Sequence, residues 1–324
     1  MAQYSCKDLN NQITFYPDAI DSCCSGFSSP RFYTIENNNI DYYSLISKKN
    51  NFINDFKNGK ILPTCQNCHN LQNYDENLKY NKFTKILVNH FTRCNCSCIY
   101  CVRDSYMSKE QKQAEPRYEL LPIIKEMYKR NLISTDKLDI DFQGGDIGCL
   151  KEFKSLVSLF YKKSISFFHF YTNNIVYYDI IQRLFNENRA ELIISLDCGC
   201  RDTFKKIKRV DKFDLVVDNI KKYMKKSKFP NILLKYIILE NLNDNKNEIN
   251  KFINIAKSLN INNVCVEFDY RKCMELIPGQ KTRYEVPEYY YELVQYFNDE
   301  ATLMGIYPGI CSYTQNILNK GYFE

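Results

Sequence analysis

The sequence predicts an α/β fold built from six β-then-α units, and three observations carry that expectation. Between residues 85 and 269, short runs dense in Ile, Leu, Val and Phe alternate with longer segments whose apolar positions recur three and four apart. Strand and helix runs alternate along the chain, which calls for a parallel sheet with right-handed crossovers. The strand runs are apolar enough to be covered on both faces, as strands of parallel sheets are. Such a series closes into a partial (β/α)6 TIM-like barrel or lies open as a doubly wound sheet. In either case ligands belong at the carboxyl ends of the strands.

The strand candidates are KILVNHF (85–91), KLDIDFQ (137–143), ISFFHFY (165–171), ELIISLD (191–197), ILLKYIILE (232–240) and NVCVEFD (263–269). The helical candidates between them are residues 118–131, 150–162, 176–186, 214–226 and 247–259. Three regions follow: 1–83, 84–275 and 276–324. The first is loop-rich, with many Asn, Asp and Ser, and carries the pairs Cys23 and Cys24 and Cys65 and Cys68. It has few long apolar periods, so metal or docking is expected to order it. The last is a C-terminal helical extension, amphipathic over 287–303, with a tail holding Cys311 that is expected to pack across the barrel or its mouth.

At 324 residues the chain is long enough to bury a large core. Its polar start and the lack of a bilayer-length apolar run point to a cytoplasmic protein with no membrane partner. Fifteen cysteines in such a chain point to metal ligation or redox chemistry before disulfides. The balance of 44 Lys plus Arg against 38 Asp plus Glu, a formal +6, does not call for nucleic acid. The basic run from Lys221 to Lys228 falls on one amphipathic helix behind Val216, Ile220 and Tyr223, where it reads as a solvated face.

Chemistry concentrates in the loop after the first of these strands, Thr92-Arg93-Cys94-Asn95-Cys96-Ser97-Cys98-Ile99-Tyr100-Cys101. Cys94, Cys98 and Cys101 form a C-x3-C-x2-C triplet, with Cys96 as a nearby extra thiol. Three thiolates on one short loop suit a four-iron cluster and leave one iron without a protein ligand, open to a substrate or cofactor. A structural zinc site is the competing reading, but zinc ordinarily takes a fourth Cys or His from a second loop. Further polar strand ends follow: Gly144-Gly145-Asp146, Thr172-Asn173-Asn174 and Ser195-Leu196-Asp197. Each alone is a common strand-end turn.

Taken together, Cys94-Asn95-x-x-Cys98-x-Tyr100-Cys101 and the three strand ends, in that order, resemble the radical S-adenosylmethionine superfamily. The resemblance covers about residues 85–269 and extends to 204–214, to 235–238 and to Asn243-Asp244. It implies the partial barrel, a [4Fe-4S] cluster on Cys94, Cys98 and Cys101, and S-adenosylmethionine held by Tyr100, Gly144, Gly145, Asp146, Thr172, Asn173, Ser195 and Asp197. Asp146 stands where the family has Glu, one methylene shorter, so its contact with the cofactor's ammonium is re-aimed or water-bridged. Asn174 stands where the family has Gly. Arg209 is either a contact to the cofactor carboxylate or a surface cation, and the surface reading is preferred.

The mechanism so implied is reductive cleavage of the cofactor to a 5′-deoxyadenosyl radical that abstracts hydrogen from a substrate. An external donor such as flavodoxin or ferredoxin would supply the electron. The substrate class is a sugar or nucleotide-sugar, by likeness to members found in surface-polysaccharide biosynthesis, or a peptide. Cys23, Cys24, Cys65 and Cys68 are candidates for a second centre, iron–sulfur or zinc. The competing class is a non-catalytic zinc or iron–sulfur protein that binds a partner or polyanion, which leaves Gly144-Gly145-Asp146 without a role.

Overall fold

The computed structural model describes residues 3–23, 31–35, 39–65, 71–74, 82–101, 103, 108, 110, 113–269, 287–311, 314–315 and 318–319. The chain forms two compact units, Met1–Arg93 with Gln113–His169, and Cys94–Lys112 with Phe170–Glu324.

In the first unit the strands are β1 (Tyr4–Cys6), β2 (Gln12–Phe15), β3 (Ala19–Asp21), β4 (Arg31–Thr34), β5 (Leu71–Asn73), β6 (Lys85–Val88) and β7 (Leu138–Phe142). The helices are α1 (Lys7–Asn11), α2 (Tyr42–Lys57), α3 (Leu120–Lys129) and α4 (Phe153–Lys163). β2, β6 and β7 run parallel, with Phe15 opposite Val88 and Val88 opposite Phe142. β3 and β4 continue antiparallel from β2, while β1 pairs with β5 alone. α2 starts because the Asp41 carboxylate accepts from the Tyr43 and Ser44 amides, satisfying N–H groups that have no intrahelical partner. α3 is held at its start by Glu152, whose two oxygens accept from the Leu120 and Leu121 amides at 2.9 Å. The buried His90 ring lies 3.0 Å from the same Glu152. It is thus fixed by packing and one carboxylate contact, as suits a strand-end residue.

β8 (Ser166–Thr172) carries the chain from the first unit into the second. The second unit holds β9 (Ala190–Ser195), β10 (Ile232–Ile238), β11 (Asn263–Phe268) and β12 (Tyr307–Ile310). Its helices are α5 (Asp179–Asn186), α6 (Arg201–Lys208), α7 (Phe213–Lys226), α8 (Lys246–Ser258) and α9 (Glu288–Leu303). β9 to β12 are consecutive and parallel, with Ser195, Lys235, Cys265 and Gly309 forming one row across them. One face of β10 is covered by helices: the Tyr236 ring lies 4.9 Å from Phe252 of α8 and 5.8 Å from Phe297 of α9. Lys235, next along the strand, therefore points away from the helix layer.

Each strand and helix expected between residues 85 and 303 is present. β12 was not expected: the C-terminal tail adds a further parallel strand beside β11. On α7, Val216, Ile220 and Tyr223 are buried and Lys221, Lys225, Lys226 and Lys228 exposed, as the amphipathic reading requires.

Candidate active site

The cysteine loop is shaped by backbone hydrogen bonds to the end of α6. Ser97 N–H donates to the Lys208 carbonyl at 3.2 Å and Ile99 N–H to the Ile207 carbonyl at 3.0 Å, so the loop satisfies carbonyls that a helix end leaves without partners. Within the loop, Cys101 N–H donates to the Cys98 carbonyl. Among the described residues, the Cys96 N–H at 3.4 Å and the Asn173 side-chain amide at 3.7 Å donate to the Cys94 sulfur. Asn173 also donates to the Asn95 side chain at 2.5 Å.

The thiols are electrostatically distinct. Cys96 is held far above the ordinary thiol range, chiefly by its hydrogen bonds to Cys94 and Cys98, with burial adding to the effect. Cys98 is brought down to about 7 by the Cys96 hydrogen bond and by the Lys208 charge, against the opposing effect of burial. A thiol near neutrality supplies the thiolate that iron requires.

Tyr100, between Cys98 and Cys101, donates from its hydroxyl to Asp197 Oδ2 at 2.7 Å. Lys208 Nζ donates to the same Oδ2 at 2.5 Å and to the Tyr100 hydroxyl at 2.5 Å. The ion pair has no access to water, with side-chain exposures of 1% for Lys208 and 0% for Asp197. Burial, the largest single influence, would lower the Lys208 pKa, but the Asp197 carboxylate together with the Cys98 and Cys96 sulfurs outweighs it and raises it. The other Asp197 oxygen accepts from Ile237 N–H at 3.0 Å. Asp197 itself sits in the left-handed region at φ +63°.

Thr172, Asn173 and Asn174 form a turn in which Thr172 Oγ1 accepts from Asn174 N–H and Asn173 Oδ1 from Ile175 N–H. Asn174 takes φ +60°, so the place of the family's glycine is filled by a residue type that tolerates this conformation. Ser195 is half-buried at the end of β9.

In the first unit, Gly144 takes φ +108°, and Gly145 packs against backbone: an added Cβ would lie 2.0 Å from the Arg93 carbonyl oxygen. Gly145 N–H donates to Phe91 O and Asp146 N–H to Arg93 O, so this turn braces the chain just before Cys94. Asp146 is buried, and one of its oxygens accepts from Gly148 N–H at 2.8 Å, capping a short 3-10 turn over Ile147–Cys149.

Lys208 was not singled out from sequence, although a signal for it exists. Phe204, Ile207 and Lys208 share the buried face of α6, so a charge sits on an apolar stripe. Arg209 closes α6 at φ +56° with an exposed side chain, as the surface reading expected. Of the second-centre candidates, Cys23 follows β3 and Cys65 ends a 3-10 turn, while Cys24 and Cys68 lie outside the described residues.

Among the described residues, no three His, Cys, Asp or Glu side chains close around a single metal ion. A four-iron cluster sets a different requirement, since each cysteine binds a different iron and the thiols stand around a cube rather than around one point. Three cysteines in eight residues, with two N–H donors on one sulfur and a Cys98 thiol near neutrality, fit that donor set.

A family model described as the radical SAM superfamily matches residues 88–254, just over half of the chain. The chain belongs to the radical SAM superfamily. Members of this enzyme superfamily use a [4Fe-4S] cluster and S-adenosylmethionine. The chain is 30% identical over 177 residues to a GTP 3',8-cyclase of Clostridium botulinum strain Okra, covering 54% of this chain and 53% of the relative. It is 25% identical over 178 residues to the molybdenum cofactor biosynthesis protein moc-5 of Caenorhabditis elegans, covering 54% and 28%. The match thus spans about half the length of the cyclase and less of moc-5.

Among solved structures, Streptococcus suis SuiB bound to its precursor peptide SuiA superposes with a TM-score of 0.54 at 12% identity, over 85% of this chain and 55% of SuiB. The structure of anSMEcpe with AdoMet and the Kp18Cys peptide gives 0.51 at 18% identity, over 74% and 67%. These likenesses show the fold, and the expected α/β class of the partial TIM-like barrel is the one these chains share. Among the described residues no helix is long and apolar enough to cross a membrane.

Proposed function

We propose that this chain reductively cleaves S-adenosylmethionine and uses the resulting radical to abstract hydrogen from a polar substrate, with Cys94, Cys98 and Cys101 as the ligands of a four-iron cluster. One observation carries this reading: three cysteines of C-x3-C-x2-C spacing on a single loop, with N–H donors at the Cys94 sulfur. N–H···S hydrogen bonds stabilise thiolates and adjust the potential of the iron they bind. When bound, the cluster supplies the electron that splits the cofactor's sulfonium. The chain's residues hold the thiolates, fix the loop and keep water away.

Asn173 orders the loop through Asn95 and Cys94, while Tyr100 anchors it to Asp197. Gly144, Gly145, Asp146, Thr172 and Ser195 are carried over from the motif pattern as contacts to S-adenosylmethionine. The Lys235–Glu267 pair, 2.6 Å apart and partly exposed on the side of β10 and β11 away from the helices, supports a polar substrate. A sugar, a nucleotide or a peptide would meet that requirement.

The test is anaerobic reconstitution with iron and sulfide, reduction in the presence of S-adenosylmethionine, and assay of 5′-deoxyadenosine. The intact protein is expected to form it and Cys94→Ala/Cys98→Ala/Cys101→Ala is not. A protein shown to carry the cluster that forms no 5′-deoxyadenosine, with candidate substrates present, would overturn the reading and leave a structural centre in its place.

A further inference from the structure

We propose that Lys208 is a positioning residue whose buried charge, fixed by Asp197 and Tyr100, raises the reduction potential of the cluster on Cys94, Cys98 and Cys101. This inference rests on the function proposed above and extends it to how the cluster accepts its electron.

The starting point is an ion pair that stability does not explain. Removing both charges from water costs as much as their attraction returns, so a buried pair is weak evidence for stability. The Lys208–Asp197 pair is fully buried all the same, and on α6 it interrupts an apolar stripe of Phe204 and Ile207. Its placement accounts for it. Lys208 Nζ touches the hydroxyl of Tyr100, a residue inside the C-x2-C segment, while the Lys208 main-chain carbonyl takes the Ser97 N–H. One residue thus grips the loop by both its side chain and its backbone.

The charge has a specific job there. The carbonyls of Ile207 and Lys208 face the cysteine loop, and the C-terminal end of a helix carries partial negative charge. That field opposes the addition of an electron to a cluster on the loop. A fixed ammonium at the same end offsets it. Asp197 is the counter-charge, and it is immobilised: Ile237 N–H holds its free oxygen, and Lys235 O and the Asn243 side chain hold its main chain. Both charges meet the loop at the Tyr100 hydroxyl, but the Lys208 charge acts more strongly on Cys98 than the Asp197 charge does, and the second Asp197 oxygen is taken by the β10 backbone.

The test is an EPR-monitored titration of the reconstituted protein, reduced by mediated dithionite, in the intact chain, Lys208→Met, Lys208→Arg, Asp197→Asn and Lys208→Met/Asp197→Asn. Lys208→Met is expected to lower the potential so that the ratio of reduced to oxidised cluster at a fixed potential falls about tenfold, about 59 mV for one electron. Asp197→Asn is expected to raise it, the double variant to fall between the two, and Lys208→Arg to stay near the intact value.

A purely structural role would shift both single variants the same way or neither, and either result in loaded proteins overturns the inference. If Lys208→Met does not fold, the raised potential of Asp197→Asn and the near-intact potential of Lys208→Arg decide it, and an unmoved Asp197→Asn overturns the inference. Iron content measured first separates the two readings. An intact protein that takes up no cluster fails the proposed function itself, whereas loaded variants with unmoved potentials fail only the role of Lys208.

Discussion

The side-chain amide of Asn243 donates to the main-chain carbonyl of Asp197 at 2.8 Å and to that of Ile237 at 2.8 Å, while its oxygen accepts from Leu239 N–H at 2.7 Å. One fully buried amide thus fixes the left-handed turn that aims Asp197 at Tyr100 and Lys208. Asn243→Leu keeps approximate volume but strands three backbone groups in an interior without water. A stability loss of about 2–4 kcal/mol is expected, since each orphaned buried group costs about 1–3 kcal/mol and the loop can recover part of it. Urea unfolding measures it. A loss under about 0.5 kcal/mol would mean that the turn holds without the amide.

Gly145 crowds the backbone of Thr92 and Arg93, just before Cys94. A methyl group there would lie 2.0 Å from Arg93 O and 2.8 Å from Thr92 C, both backbone atoms unable to swing aside. Gly145→Ala is expected to lower stability by at least the 1–3 kcal/mol typical of overpacking, roughly, and to reduce iron uptake by displacing the residue that precedes Cys94. Gly309→Ala is the control, because its added carbon meets nothing nearer than 3.5 Å. Melting curves of the two should differ by several degrees for a domain of this size, and equal curves would contradict the crowding.

Cys96 distinguishes motif from proximity. It is buried, with its thiol hydrogen-bonded to Cys94 and Cys98, and it lies outside the C-x3-C-x2-C spacing. Cys96→Ala is expected to retain iron and the absorption of the reconstituted protein, whereas each of Cys94→Ala, Cys98→Ala and Cys101→Ala should lose most of it. Loss on Cys96→Ala with retention in any of the other three would redraw the ligand set.

The βα units between Lys85 and Ser258 were legible because each combines a strong period with sharp ends; the expected strand at 232–240 is observed as Ile232–Ile238. β2 was not, since the alternation of QITF spans only four residues, too short a run to stand out, and it becomes a strand by pairing with β6. The same holds for β12, which contains Pro308 and Gly309 and depends on β11. Cysteine spacing could be read locally, whereas the partners of Asp197 could not. Tyr100, Lys208, Ile237 and Asn243 come from four separate segments, and no spacing rule joins them.

Lys49 offers a test of buried charge outside the candidate site. It is buried on α2, donating to Asn10 O at 2.7 Å and lying 4.3 Å from the centre of the Phe83 ring, and burial brings its pKa down from 10.5 to about 8. The sign follows from proton binding: between about pH 8 and 10.5 the unfolded chain holds this proton and the folded one does not, so stability rises with pH across that window. Below the window both states carry the charge and the full desolvation cost applies, amounting to about 3 kcal/mol at most. In Lys49→Met this contribution vanishes while every other titrating group is unchanged, so the difference between the two proteins isolates it. The intact protein should gain on the variant from pH 8 upward and level off near pH 10.5. Parallel stability curves would show that the Asn10 carbonyl and the Phe83 ring compensate the buried ammonium fully.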